Sequence, residues 1–191
     1  MKILKMLFTA LVIAGLLTTP VASLAGNGPG GAGLRSGAGG GLTPLSEPEI
    51  ATLKWMREEE KLARDIYIEL NTFWPAKIFV NIAASEQNHF DALGKKLELY
   101  GISDPALPSV GMFRDPALQA LHDELLAAGM ISEVAALGVG VTIEETDIVD
   151  LDAAIDETDS RPLRQTYEHL LNGSENHLRS FLKVLDRVAP K

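Results

Sequence analysis

Residues 79–100 read FVNIAASEQNHFDALGKKLELY, with apolar side chains at Phe79, Ile82, Leu93, Leu97 and Tyr100. Steps of three and four residues mark one face of an α-helix. On that face Glu86 and His89 stand where the period expects apolar residues. Positions i and i+3 project from the same side of a helix, so the two side chains can grip one ion together. Glu-x-x-His alone is a common accident, and the weight of the pair depends on what the rest of the chain places opposite it.

Outward from this stretch the chain reads as helices almost throughout. A first helix is predicted from Ser46 to Asn71, with Ser46 capping the first turn, Glu49 reaching back and Pro48 tolerated inside that turn. Thr72–Pro75 forms a turn, and the helix bearing Glu86 and His89 runs from Ala76 to Tyr100, stopped by Gly101. Ile102–Asp115, with Pro105 and Pro108, is a long crossover that leads into a short helix, Pro116–Ala128, capped by Asp115. A third long helix, Ser132–Glu157, contains Gly138 and Gly140 and keeps a seam of Val134, Leu137, Val141, Glu144, Ile148, Leu151 and Ile155. The fourth runs from Ser160 to Val188 and turns Tyr167, Leu170, Ser174, His177 and Phe181 inward. The expected fold is all-α, a four-helix bundle whose crossover between the second and third long helices carries a short extra helix.

Each long helix breaks its apolar stripe near the middle. The first reads Leu53, Met56, Glu60, Ala63, Tyr67, Leu70, with Glu59 at the edge of the seam. The second has Glu86 and His89, the third Glu144 and the fourth His177. A buried ionised carboxylate costs several kcal/mol unless it is paired or bound to a metal. Several at matching heights require a shared counter-charge, and one Glu from each of two helices set against Glu-x-x-His is the dimetal carboxylate arrangement. Taken singly, the same residues read differently. Glu58-Glu59-Glu60-Lys61 is a solvated charge run with pairs such as Glu60 to Arg64, Glu144-Glu145 is an exposed face, and His177 is a core histidine. His122 and His169 fall outside the inner seams and read as surface residues, and Trp55 and Trp74 as packing residues.

The 191-residue length suits one folded domain. Residues 1–25 read as a secretory signal peptide, with Lys2 and Lys5, an apolar run from Met6 to Leu17, and Ser23-Leu24-Ala25 setting cleavage near Ala25. The run is shorter than the roughly 20 residues of a membrane-spanning helix, and no membrane span is expected after cleavage. An uncleaved amino-terminal anchor is the alternative. Gly26–Gly41 is glycine-rich, and residues 26–44 read as a disordered tether before a folded domain at 45–191. The protein is therefore expected to be secreted or periplasmic.

There is no Cys, which excludes disulfides and thiolate metal sites. The formal charge of −9 disfavours nucleic acid and anionic membranes as partners. No glycine loop follows a strand to cradle phosphate, and no Gly-x-Ser-x-Gly turn is present.

Glu60, Ala63, Arg64 and Tyr67 resemble the first-helix pattern of rubrerythrins, and Ala84-Ser85-Glu86-Gln87-Asn88-His89 is similar to their second-helix motif. More specifically, MREEEKLARDIY, NIAASEQNHFDAL, GVGVTIEETDI and GSENHLRSF resemble an exported ferritin-like family, domain of unknown function 2202. The resemblance spans Leu45–Leu185 and implies a ferritin-like bundle with Glu60, Glu86, His89, Glu144 and His177 as metal ligands. It departs at the fourth helix, where Ser174 stands three residues before His177 in place of a second Glu. That departure puts a second ion in doubt and brings in Asp147, Glu145 and Glu59 as substitute ligands.

The function implied is oxidation by two metal ions outside the cytoplasm, first of all iron, with dioxygen, peroxide or Fe(II) as the reacting partner. Manganese, copper and zinc remain open for a mixed imidazole and carboxylate set. The alternative is a non-catalytic protein that buffers or senses metal ions. Tyr67 is the candidate catalytic side chain, as a donor of an electron or a hydrogen bond, and a buried tyrosine with a satisfied hydroxyl is the simpler reading. A homodimer is the assembly left open.

Overall fold

The computed structural model describes residues 42–188. The expected signal peptide, its cleavage near Ala25 and the Gly26–Gly41 stretch lie outside the described residues. Five α-helices and no strand are present among the described residues, which are therefore all-α. They are α1 (Glu47–Phe73), α2 (Lys77–Leu99), α3 (Pro116–Gly129), α4 (Glu133–Glu157) and α5 (Arg161–Val188). None of them is long and apolar enough to cross a membrane.

Local chemistry sets the ends. At α1 the Ser46 hydroxyl accepts from the Glu49 amide at 3.4 Å, and the Ser46 amide donates to Glu49 Oε2 at 2.9 Å, a reciprocal capping box. α2 stops at Gly101, whose φ of 66° is open to glycine without a Cβ penalty. The Ile102 amide then reaches back to the Leu97 carbonyl at 2.8 Å and the Gly101 amide to Glu98 at 3.0 Å, closing a Schellman motif. Asp115 and Ser132 accept from the first-turn amides of Ala117 and Ala135 and start α3 and α4.

α1 packs along α2 and α4 along α5, while contacts of α1 with α4 and of α2 with α5 join the two pairs; α3 lies against α1 and α4. Toward one end the core is a layer of Leu53, Met56, Leu93, Leu97, Leu151, Ala154, Leu163, Tyr167 and Leu170. Toward the other, Tyr67, Phe79 and Phe181 form an aromatic cluster with ring centroids 5.2–6.4 Å apart. Each buried side chain of this size contributes about 1.5–3 kcal/mol. The polar seam residues lie between the two layers.

α4 is turned slightly from its expected register. Its buried residues are Ala136, Leu137, Val139, Gly140, Ile143, Glu144, Asp147, Leu151 and Ala154, while Val134, Val141, Ile148 and Ile155 are half-buried. Small residues cause the shift. A Cβ on Gly140 would sit 2.5 Å from the Phe181 ring, so the ring fills the space that a side chain would need. The inward face thus depends on glycine and alanine, which an apolar period does not see, and it carries Asp147 in place of Ile148.

The acidic run of α1 is a correction of a different kind. Every residue from Arg57 to Tyr67 is buried, so Glu58-Glu59-Glu60-Lys61 is not a solvated face. The crossover covers its Lys61 side, while Glu60 faces His89 of α2. Lys61 Nζ binds Asp65 and the Ser109 carbonyl, the latter at 2.9 Å. Asp65 also accepts from Arg64 Nε at 2.8 Å, from Arg64 Nη2 at 2.6 Å and from the Gly111 amide at 3.0 Å. Arg57 stacks on Phe90, donates to its carbonyl and binds Asp104 at 2.7 Å through Nη2. His122, expected at the surface, is buried under the same segment, with Nε2 2.6 Å from Glu69 Oε2 and Nδ1 3.0 Å from Asp123 Oδ1. Two carboxylates make that burial tolerable, and spacing along α3 alone does not reveal them. His169 is exposed. The Trp74 indole donates to the Gly129 carbonyl at 3.0 Å and ties the α1–α2 turn to the end of α3.

Candidate metal centre

Glu60, Glu86, His89, Glu144 and His177 meet between the two core layers, and all five are buried. They form two overlapping groups, Glu60 with Glu86 and His89, and Glu86 with Glu144 and His177. Within each group one nitrogen or oxygen per residue lies within 4.8 Å of the others. Glu86 belongs to both. Its Oε2 is 2.9 Å from His89 Nδ1, and its Oε1 is 2.8 Å from His177 Nδ1. Glu60 Oε2 lies 3.3 Å from His89 Nδ1 and Glu144 Oε2 lies 3.4 Å from His177 Nδ1. The imidazoles stack with centroids 5.4 Å apart.

The far side of each imidazole is also arranged. His177 Nε2 is 2.8 Å from the Ser85 hydroxyl, which leaves Nδ1 to face the carboxylates. For His89 the fixing element is a glycine. A Cβ on Gly173 would lie 2.5 Å from His89 Nε2, so α5 approaches that ring with bare backbone. Tyr67 donates to Glu144 Oε1 at 2.7 Å, giving the buried hydroxyl a partner and aiming Oε2 of the same carboxylate inward.

Asp147 lies at the same level and interacts electrostatically with both Glu60 and Glu144. The Ser174 hydroxyl donates to its Oδ2 at 2.5 Å. Where a longer acid on α5 would have reached inward, a serine instead holds an aspartate supplied by α4. Glu145 is exposed and outside both groups. Glu59 is buried, lies outside both groups and interacts with Asp150.

Without a cation this centre holds too many acids. Burial, and then the Glu86 charge, push Glu144 up to about 8 and Asp147 up to about 7. Burial and Asp147 raise Glu60 as well. Burial alone would lower the histidines, yet the facing carboxylates bring His89 up to about 11 and His177 up to about 9. Burial works against ionised Glu86 too, and the two imidazoles more than offset it and hold its carboxyl below the usual range. Burial of several acids together thus favours their protonated forms, and the facing carboxylates favour protonated imidazoles.

These contacts are close without being complete. Glu60 Oε1, both Glu86 oxygens, Asp147 Oδ1 and His177 Nδ1 have no hydrogen bond of acceptable geometry despite burial. Native proteins leave few such atoms orphaned. Donor atoms that converge without satisfying one another fit a cation, and imidazole nitrogen with carboxylate oxygen suits iron, manganese, zinc and copper.

Comparison with known proteins places the chain. Residues 49–189 match the family described as Uncharacterized protein domain (DUF2202). The chain belongs to this family. A curated relative, the uncharacterized protein MJ0754 of Methanocaldococcus jannaschii, is 48% identical over 144 residues, covering 75% of this chain and 78% of the relative. The crystal structure titled hypothetical protein MJ0754, from Methanococcus jannaschii, superposes with a TM-score of 0.76 at 46% identity, covering 78% of this chain and 86% of that one. The match to the family spans every residue of the centre.

Ser85, Gly173 and Asp150 were not singled out from the sequence. Ser85 sits beside Glu86 and Gly173 beside Ser174, and an inward-facing glycine in an amphipathic helix was the one usable signal for a close approach.

Proposed function

We propose that the chain is a ferritin-like four-helix bundle, exported from the cytoplasm, whose centre holds two metal ions and oxidises a small substrate with dioxygen or peroxide. The observation that carries this reading is the position of Glu86, which offers one oxygen to each of two carboxylate and histidine sets. Glu60 and His89 serve one ion, Glu144 and His177 the other, and Asp147 supplies the carboxylate that Ser174 lacks. A bound pair of redox-active ions, iron first among them, supplies the electrons for reducing the oxidant. The protein residues do the rest. Ser85 holds the His177 ring in place through Nε2, Tyr67 orients Glu144, and the two apolar layers exclude water. The ionisable groups exchange their protons for cation charge on loading, since carboxylates and imidazoles must be deprotonated to act as ligands.

Anaerobic titration with Fe(II), followed by dioxygen, tests the reading. Two ions per chain and rapid oxygen uptake are expected, both abolished in Glu86→Gln with the helical circular dichroism retained. Binding without oxygen uptake would remove the oxidase and leave a metal-buffering protein. No binding, or unchanged binding by Glu86→Gln, would remove the metal centre.

A further inference from the structure

Between the first turns of α1, the end of α4 and the start of α5 lies a small pocket that shares no residue with the centre. It is lined among others by Glu49, Thr52, Ala154, Thr158, Leu163 and Tyr167, and it leaves about 20 Å³ for the centres of water-sized molecules. Tyr167 is 1% exposed, and its hydroxyl finds no hydrogen-bond partner among the described residues. The other two tyrosines differ, since Tyr67 donates to Glu144 at 2.7 Å and Tyr100 Oη is 2.8 Å from Ser160 Oγ. A buried tyrosine hydroxyl normally has a partner, and leaving one desolvated and unpaired is costly. Glu49 acts electrostatically on Tyr167 without bonding to it. Its Oε2 is taken by the amide and hydroxyl of Ser46, and its Oε1 by the Thr158 hydroxyl and the amides of Asp159 and Ser160. Those donors hold the carboxylate in place, so it does not turn toward Tyr167.

We infer that the pocket binds one resident water, which accepts from the Tyr167 hydroxyl and donates to the hydroxyl oxygens of Thr52 and Thr158, joining α5 to α1 and to the end of α4. A water needs roughly 10–15 Å³ by this measure and about two to four polar partners. The pocket meets both conditions. Thr158 donates to Glu49 and accepts from the Ser160 amide at 3.1 Å, which leaves its oxygen one lone pair. Ala154 and Leu163 close the remaining wall with apolar surface. A neutral occupant suits the site, because the one buried charge beside it, Glu49, is already matched by its own donors. The site stands apart from the metal reading, since none of its residues is a candidate ligand.

A high-resolution crystal structure of the full chain should show one ordered water within hydrogen-bond distance of Tyr167 Oη. An occupant larger than water, or none, overturns the inference. Urea unfolding with a chelator present tests it independently of any metal. Tyr167→Phe should lower the folding equilibrium constant about 2–10-fold, as loss of a hydrogen-bonded hydroxyl does. An unchanged or raised constant overturns the inference, because the variant would then have removed an orphaned group. Thr52→Val should also lower the constant, and the double variant should lose less than the product of the two single losses, because both side chains bind one water. Losses that simply multiply overturn the bridge. Exchanging sodium chloride for ammonium chloride should leave the wild-type midpoint unchanged, and a rise that Tyr167→Phe abolishes would overturn the water by placing a cation in the pocket.

Discussion

α1 buries charge on two sides, and the two sides are finished differently. Toward the crossover, Asp65 receives Lys61, two nitrogens of Arg64 and the Gly111 amide, so its charge is matched by donors from its own helix and from the loop. Toward the centre, Glu60 faces Glu86, Asp147 and a single imidazole, and one of its oxygens has no partner. Both groups are equally removed from water. Burial of charge therefore does not by itself point to function. What separates the two is whether the protein supplies the opposite charge. The crossover side is a closed network that pins a loop, and the inner side remains open to an ion.

The sharpest way to break the contrast is to remove one acid from each side. Asp65→Ala leaves Lys61 and Arg64 buried without their carboxylate, and breaking a buried pair in this way costs about 3–5 kcal/mol. Urea unfolding in the presence of a chelator should show that loss, with Asp65→Asn intermediate. Glu60→Gln should behave oppositely in the same experiment. It removes one of several mutually repelling acids, so the metal-free protein should be no less stable than wild type. A large loss of metal-free stability in Glu60→Gln would show that the inner acids are paired by the protein after all.

On the proposed reading of the centre, a bound cation supplies the next effect in size. An ion that binds only the folded state, at about 100 times its dissociation constant, stabilises by about 2.7 kcal/mol. Wild-type protein should gain a melting-temperature increment with Co(II) or Zn(II), Asp65→Asn should gain the same increment from a lower starting point, and Glu86→Gln should gain none. Calorimetry with and without metal measures all three. Smaller again is the contribution of groups behind the ligands. Ser85→Ala removes the partner of His177 Nε2 and should weaken metal affinity by about 10–100-fold without altering metal-free stability. Gly173→Ala, whose new methyl would press on His89 Nε2, should lower affinity at least as much even though alanine favours the helix by about 1 kcal/mol.

The same contrast explains what could be read from the sequence. Helix positions were legible to within two residues, because caps such as Ser46, Asp115 and Ser132 and the stop at Gly101 are local signals. The convergence of Glu60, Glu86, His89, Glu144 and His177 was legible because each interrupts an apolar stripe. The inward turn of Asp147, named only as a substitute ligand beside Glu145 and Glu59, was not legible from the apolar period, since part of the inner face of α4 is Ala136, Gly140 and Ala154 and the bulkier Ile148 carried the period instead. Nor was the burial of Lys61, Arg64 and Asp65. Their partners Ser109 and Gly111 come from a loop more than forty residues away, and a helix pattern holds no record of what will cover it. His122 escaped for the same reason, with Glu69 as its distant partner.

The smallest expected effect lies at a half-buried acid, Glu49, satisfied by backbone amides and two hydroxyls. Glu49 Oε2 accepts from the Ser46 amide, while its Oε1 accepts from Thr158 Oγ1 at 2.8 Å and from the Asp159 and Ser160 amides at 3.2 Å. One carboxylate thereby serves the amino-terminal ends of α1 and α5, where negative charge is favoured by about 0.3–1 kcal/mol. Burial by itself would raise its pKa, and the hydrogen bonds from Ser46, Thr158 and Ser160 more than offset that, bringing it down to about 2. Between that value and the ordinary glutamate range the unfolded chain binds the extra proton. The contribution is therefore fully present above about pH 4.5 and is lost as pH falls toward 2. Glu49→Gln should be slightly less stable than wild type at pH 6 and indistinguishable from it near pH 2, as read by urea midpoints across that range. A difference that persists at pH 2 would mean that shape at the α1–α5 junction, and not charge, is what Glu49 provides.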